Sequence, residues 1–214
     1  MTDFLQKFRA DHHEFVNGNF EVINGGNPLE LFQIWFEEAV EASEKEANAF
    51  VLSTVNNELQ ASSRVVYLKE VVDEQFVFFT NYNSQKGKEI AENNKVSMLF
   101  FWPLLSRQIR VEGVCVKTSE AVSDDYFNSR PRGSQIGAWA SHQSDVLESR
   151  SDLEDRVKEI GELYPNKIPR PAHWGGYQVN PIQIEFWQGR PSRLHDRLIF
   201  TLEDKKWKTQ RRNP

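Results

Sequence analysis

Cysteine occurs once in these 214 residues, at Cys115, which leaves no intrachain disulfide and no cysteine-rich metal site. Long apolar runs are missing too. None approaches the roughly 20 residues of a membrane-crossing helix, and Met1 to Ala10 lacks the apolar core of a signal segment. The expectation is a soluble cytoplasmic protein with no membrane partner. Basic charge is in short supply: 26 Lys and Arg face 31 Asp and Glu, a formal net charge of -5, which argues against general polyanion binding and hence against nucleic acid. The glycine spacing of a P-loop is absent, so nucleoside triphosphates are not indicated. No Ser/His/Asp order suggests a hydrolytic triad. No two histidines stand at helix-face ligand spacing either, His12 and His13 being adjacent and pointing apart, so no metal is expected.

What the chain does have is patterned. Asn27-Pro28, a capping residue and a proline, opens a helix whose Leu31, Phe32, Trp35, Phe36, Ala39 and Val40 form one apolar stripe and whose end is expected near Asn48. Strand-like runs follow at Ala49 to Val55, Ala61 to Val72 and Gln75 to Thr80, with turns at Asn56-Asn57 and Asp73-Glu74, the spacing of antiparallel hairpins. A short helix is expected over Lys86 to Asn93. Strands are expected over Lys95 to Trp102 and Gln108 to Lys117, the second with Cys115 as a core thiol and a phase-shifting bulge at Gly113. Ser123 is placed as the cap of a helix carrying Tyr126 and Phe127, and Ser151-Asp152-Leu153-Glu154 as a capping box for the next. Strands return at Trp174 to Val179, Ile182 to Gln188 and Leu194 to Leu202. Five or more strands enclosing a helical insertion make the class α+β, mainly β: a small antiparallel barrel with surrounding helices. No repeat or linker divides the chain, so residues 1–214 are expected to form a single domain, with 1–26 as a mobile N-terminal segment.

Three clusters carry candidate chemistry. Tyr126 to Trp139 gathers phenol, guanidinium and hydroxyl donors beside glycines, with Pro131 and Gly133 setting an irregular path; Ile136 and Trp139 imply partial burial, and buried arginines need acceptors. A phosphate is the ligand this suits. In Ser62 to Lys69, alternation puts Arg64 and Lys69 on opposite strand faces, where they meet different groups. Thr80 to Lys86 runs from a strand into a helix start, where backbone N–H groups, a hydroxyl and an ammonium form a phosphate site. The third cluster is Glu185 to Arg197, in which Arg193, His195 and Arg197 share one strand face by period-two spacing and so call for something anionic or electron-rich above them. The carboxyl-terminal end is locally basic, which also suits a small anion.

Taken in order, Arg64 to Lys69, Thr80 to Lys86, Gln108, the Tyr126 to Trp139 run and Ile184-Glu185-Phe186-Trp187-Gln188-Gly189 followed by Arg193-Leu194-His195-Asp196-Arg197 resemble the pyridoxamine 5'-phosphate oxidase family, from about residue 28 to Trp207. The resemblance implies a split β-barrel that binds FMN and forms homodimers with FMN at the interface. It implies oxidation of pyridoxamine 5'-phosphate or pyridoxine 5'-phosphate to pyridoxal 5'-phosphate, with O2 as acceptor and hydrogen peroxide as by-product. By position, Arg64, Thr80 and Lys86, with Gln85 beside them, match the cofactor-phosphate residues. Val65, Val66, Tyr67, Leu68, Lys69 and Phe79 would line the flavin, and Gln108 would contact its ring. Gln143, Ser144, Trp187 and Arg197 would reach it from the other subunit. Lys69, Tyr126, Arg130 and Ser134 match the substrate-phosphate residues. Arg193 and His195 match those over the substrate pyridine and are the catalytic candidates.

The chain departs from the family at Gln85, where many members have arginine, at His12-His13-Glu14-Phe15, and at the Arg211-Arg212-Asn213-Pro214 ending. Two rival readings are a flavin oxidase of the phenazine-biosynthesis type and a noncatalytic FMN- or haem-binding protein on the same scaffold. Tyr126, Arg130 and Ser134 together speak against both, because they address a substrate phosphate.

Overall fold

The structure is a computed structural model that describes residues 26–214, so the His12-His13 motif and the expected mobile segment lie outside the described residues, apart from Gly26. Helix α1 (Pro28–Glu41) starts as its sequence indicates: the Asn27 side chain accepts from the Leu29 N–H at 2.9 Å, and Pro28, which has no N–H to satisfy, takes the first turn. It ends at Glu41 rather than near Asn48. Ser43 and Glu46 then adopt positive φ, and the chain turns directly into a strand.

Strands β1 (Ala49–Val55), β2 (Ala61–Tyr67), β3 (Glu70–Val72) and β4 (Gln75–Asn81) lead to helix α2 (Gln85–Glu92). Strands β5 (Lys95–Trp102) and β6 (Arg107–Lys117) precede helices α3 (Glu120–Ser129), α4 (Arg132–Ala140) and α5 (Arg150–Leu163). Strands β7 (Trp174–Gln188), β8 (Asp196–Glu203) and β9 (Lys206–Arg211) complete the chain. They pair in the order β2-β1-β5-β6-β7-β4-β3, with β8 on β7 and β9 on β8. The pairings whose register is defined are all antiparallel.

Several expectations change. The run from Ala61 to Val72 breaks after Tyr67, and the two strands expected around Pro181 are one strand. Residues 174–179 of β7 pair with β4 and residues 183–188 with β8, so Pro181 falls where the partner changes. Gly113 makes no phase shift: burial alternates unbroken from Arg107 through Cys115. Glycine is needed there because a Cβ would lie 2.4 Å from the Asn180 carbonyl oxygen. Ser119, not Ser123, caps α3, and the capping box of α5 joins Ser149 to Asp152. The final expected strand begins two residues late, at Asp196, and β9 follows it unforeseen.

By its internal contacts the chain groups into two compact units that interleave along the sequence. The first holds the described residues up to Ala47, with Leu99–Val111 and Gln183–Pro214; the second holds Asn48–Met98 and Glu112–Ile182. In the first unit α1 buries Leu31, Phe32, Trp35 and Ala39 but leaves Val40 exposed. Trp35 meets Phe186 edge-on at 5.2 Å and Phe32 meets Phe100 at 5.3 Å. Full burial of one such Phe is worth about 1.5 to 3 kcal/mol. In the second unit the β1–β2 hairpin closes on Asn56, whose side chain accepts from the Glu58 and Gln60 N–H groups. Cys115 is buried there, and burial pushes its thiol up to about 12, so it is an inert core group.

Candidate functional site

A cleft of about 710 Å³ opens within the second unit. Its wall is built by β2, β4 and the α3–α4 pair. Val65 and Tyr67 from the exposed odd-numbered side of β2, Lys69 just beyond the strand end and the buried Val66 line the cleft, whereas Arg64 does not. Thus the predicted division between Arg64 and Lys69 holds although the strand stops at Tyr67. Tyr126, Arg130 and Ser134, the substrate-phosphate candidates, all line the same cleft as Lys69. Helix α3 ends at Ser129 and α4 begins at Arg132, so the Arg130-Pro131 break lets consecutive helices present donors to one space. Gly133 and Gly137 lie inside α4, and a Cβ on either would meet nothing within 4 Å. Gly133 therefore sits on a regular helix instead of the irregular path expected, and Gly137 lines the cleft.

Arg130 is the telling side chain. Its guanidinium lies 4.4 Å from the Trp174 ring centroid, and its Nη1 is buried with no hydrogen-bond partner. A buried donor left unmet is costly. Burial lowers the proton affinity of this group, with Tyr126 acting in the opposite direction. The other arginine of the motif is spent differently: Arg132 donates to the Gly161, Tyr164 and Asn166 carbonyls at the end of α5. Phe79, Tyr126 and Trp174 form a nearly parallel aromatic set, the first two 3.9 Å apart. Trp139 and Ile136 pack partly buried against Phe127, Ala138, Ile168 and Trp174.

The cofactor-phosphate candidates separate. Lys86 is 9 % exposed, and its Nζ donates to Thr80 at 3.3 Å, Ser84 at 3.2 Å and the Gln143 side-chain oxygen at 3.1 Å. Burial, then the charge of Arg64, hold its ammonium down to about 8, against a smaller upward pull from Glu89. The start of α2 can come this close because residue 87 is glycine: a Cβ there would sit 2.1 Å from the Tyr82 carbonyl oxygen. Arg64 is not among the residues lining the cleft. It is held by Thr54, Ser62 and Glu89, while Gln85 donates to Glu89 at 2.9 Å. Gln143, expected to serve the other subunit, here meets Lys86 and Thr80 of its own chain, and its neighbour Ser144 does not line the cleft. Leu68 is a buried core residue outside the lining, while Val66 and Phe79 belong to it.

Gln108, Trp187, Arg193, His195 and Arg197 belong to the first unit. The expected common strand face of Arg193, His195 and Arg197 does not form. Pro191–Arg193 is a 3-10 turn in which Ser192 and Arg193 have positive φ, and β8 starts only at Asp196, so the period-two rule does not reach back to Arg193. Arg197 instead grips Glu185 with two hydrogen bonds of 2.8 and 3.0 Å. The His195 ring lies 4.6 Å from that of Trp187, and its Nδ1 accepts from the Arg190 N–H. Burial and the nearby Arg193 lower its affinity for a proton. Two contributors escaped the sequence reading. Trp174 had no signal beyond strand pattern, whereas Glu89 stands one helical turn after Gln85 and Lys86, a spacing that could have exposed it.

The chain matches the family model described as "Pyridoxamine 5'-phosphate oxidase" over residues 36–164 and the "Pyridoxine 5'-phosphate oxidase C-terminal dimerisation region" over 174–214. It is 54% identical over 190 residues to a pyridoxine/pyridoxamine 5'-phosphate oxidase of Paraburkholderia xenovorans, covering 88% of this chain and 89% of the relative. A Burkholderia mallei protein of the same name is 55% identical over 175 residues, 82% of each chain. Among solved structures, PhzG from Burkholderia lata, in complex with tetrahydrophenazine-1-carboxylic acid, aligns with a TM-score of 0.84 at 32% identity, covering 88% of this chain and 93% of that one. A pyridoxamine 5'-phosphate oxidase-related, FMN binding protein of Nostoc punctiforme aligns at 0.70 and 15% identity over 86% and 97% of the chains, a likeness of fold alone. The fold is the split β-barrel that the sequence resemblance implied.

Proposed function

Because the chain belongs to the pyridoxamine 5'-phosphate oxidase family, we propose that it oxidises pyridoxamine 5'-phosphate or pyridoxine 5'-phosphate to pyridoxal 5'-phosphate, with FMN as cofactor and O2 as electron acceptor. The alcohol loses two electrons and two protons, which convert O2 to H2O2; the amine also takes up water and releases ammonia. One observation carries the substrate reading: the buried, unmet Nη1 of Arg130 on a side chain lining the same cleft as Lys69, Tyr126 and Ser134. Such a set suits a phosphate ester, since a guanidinium and an ammonium supply charge and the hydroxyls supply neutral donors.

The residues present also fit a phosphorylated flavin. Lys86, Thr80 and Gln143 give an ammonium, a hydroxyl and an amide at one point of the cleft, and Val65, Tyr67, Phe79 and Trp174 give it apolar walls. Bound FMN supplies the redox chemistry, leaving the chain to bind, orient and exclude water. Anchoring the substrate by a phosphate far from the reacting carbon uses remote binding energy for alignment. The match to the dimerisation region supports a homodimer, in which Trp187 and Arg197 would approach the partner's cofactor and Arg193 and His195 the substrate ring.

Purified protein should carry a flavin absorbance that bleaches with pyridoxine 5'-phosphate without air and recovers in air, with aldehyde and peroxide formed together. The likeness to PhzG favours a second reading, a phenazine-type oxidase. Turnover of a tetrahydrophenazine carboxylate, with none of either vitamin B6 phosphate, would replace the first reading by the second.

A further inference from the structure

Neither Glu89 nor the residues that encircle its carboxylate line the cleft, but Lys86, on the same helix, does. It is 5 % exposed and accepts from Thr54 at 2.5 Å, Ser62 at 2.8 and 3.0 Å, Gln85 at 2.9 Å and the Arg64 Nη2 at 3.3 Å. These hydrogen bonds hold its proton affinity low although burial acts the other way. Lys86 precedes it by three residues on α2, a spacing that sets Cβ atoms about 5 to 6 Å apart. Lys86 and Arg64 are thus two neighbouring cations with restricted access to water, and such a pair is repulsive unless a counter-charge is present. From β2, Arg64 bears on Lys86 unfavourably; from its own helix, Glu89 bears on it favourably. Thr80 on β4 and Gln143 after α4 meet it as neutral groups.

We propose that Glu89 is a positioning residue of the cofactor-phosphate site: it fixes the Arg64 guanidinium and offsets the repulsion between Arg64 and Lys86, so that Lys86 stays cationic beside the cleft. The proposal rests on the reading of Lys86 as an FMN-phosphate ligand given above. Gln85 supports the arrangement, because a neutral donor satisfies Glu89 without consuming its charge.

Glu89→Gln keeps the size and an acceptor oxygen but removes the charge. The Lys86 side chain would be followed by NMR from pH 6 to pH 11 in flavin-free, full-length protein, and FMN affinity by flavin fluorescence over the same range. In the wild type the Lys86 midpoint should lie at about 8. In Glu89→Gln its midpoint should fall by about one unit or more, with FMN affinity lost at correspondingly lower pH. Arg64→Met should move the Lys86 midpoint the opposite way, which also tests the coupling should Glu89→Gln fail to fold. A purely structural Glu89 would leave both midpoints unmoved, and that result overturns the proposal. Should the NMR midpoints move as stated while wild-type FMN affinity ignores the Lys86 titration, the phosphate reading fails and the charge coupling stands.

Discussion

In the cleft, Lys69, Lys86 and Arg130 have no carboxylate among the described residues at ion-pairing distance, whereas around β7 and β8 Arg190 meets Asp196, Arg197 meets Glu185 and Arg211 meets Asp196. Both regions are rich in cations, and in sequence the second is the more conspicuous. The difference lies in the carboxylates that folding brings to each. An arginine already answered by a buried glutamate has its charge satisfied internally, while one whose Nη1 is enclosed and unmet favours an external anion. Counting basic residues along a chain therefore does not tell which of them keep an unanswered charge.

The largest effect that could break this contrast comes from Arg197→Ala. Glu185 is only 2% exposed, so losing Arg197 strands its charge. With Arg110 still 3.7 Å from it, the cost should fall below that of a fully enclosed pair, at about 2 to 3 kcal/mol, a drop of roughly 5 to 10 °C in melting temperature. An unaltered melting temperature with lost FMN would make this arginine a ligand group like those of the cleft. Arg130→Ala should do the opposite: little change in stability, FMN retained, and a Michaelis constant for pyridoxine 5'-phosphate raised about tenfold to a hundredfold, equivalent to about 1.5 to 3 kcal/mol. An unchanged Michaelis constant would remove Arg130 from the phosphate site.

Lys86 sharpens the contrast through pH. Its ammonium titrates near 8 when folded against the ordinary 10.5, so the unfolded chain binds more protons between those values and the ligand-free protein gains stability as pH rises through that window. Affinity for the FMN phosphate should run the other way, declining above about pH 8 as the charge is lost. Measuring melting temperature without flavin and FMN affinity across pH 7 to 10 tests both signs at once; trends of the same sign would contradict the assignment. The smallest effect is expected of Arg132→Ala, at about 1 kcal/mol from lost carbonyl contacts, with the Michaelis constant unchanged. A raised Michaelis constant there would erase the distinction between the two arginines of the motif.

Local pattern revealed much of the architecture because its causes are local. Asn27 and Pro28 start α1 wherever that helix packs, and Phe50, Leu52 and Thr54 alternate because a strand presents successive side chains to opposite faces. The same alternation anticipated that Arg64 and Lys69 would part, although Lys69 lies two residues past the end of β2. It failed at Arg193 because Pro191 opens a 3-10 turn, and a two-residue period has meaning only inside a strand. Gly113 misled for a related reason: its missing side chain reflects the Asn180 carbonyl, which is 67 residues away in sequence and invisible to a local window.

Residue identities and their order were enough to indicate the family, the β-rich class and a cleft bearing Lys69, Tyr126, Arg130 and Ser134, since donor chemistry and strand period belong to the chain itself. Which cations meet a carboxylate and which do not was decided in three dimensions. Arg64 meets Glu89 across 25 residues and Arg197 meets Glu185 across 12, while Arg130 has no such partner among the described residues. Charge compensation depends on distance through space and on access to water, and the sequence encodes both only through the fold.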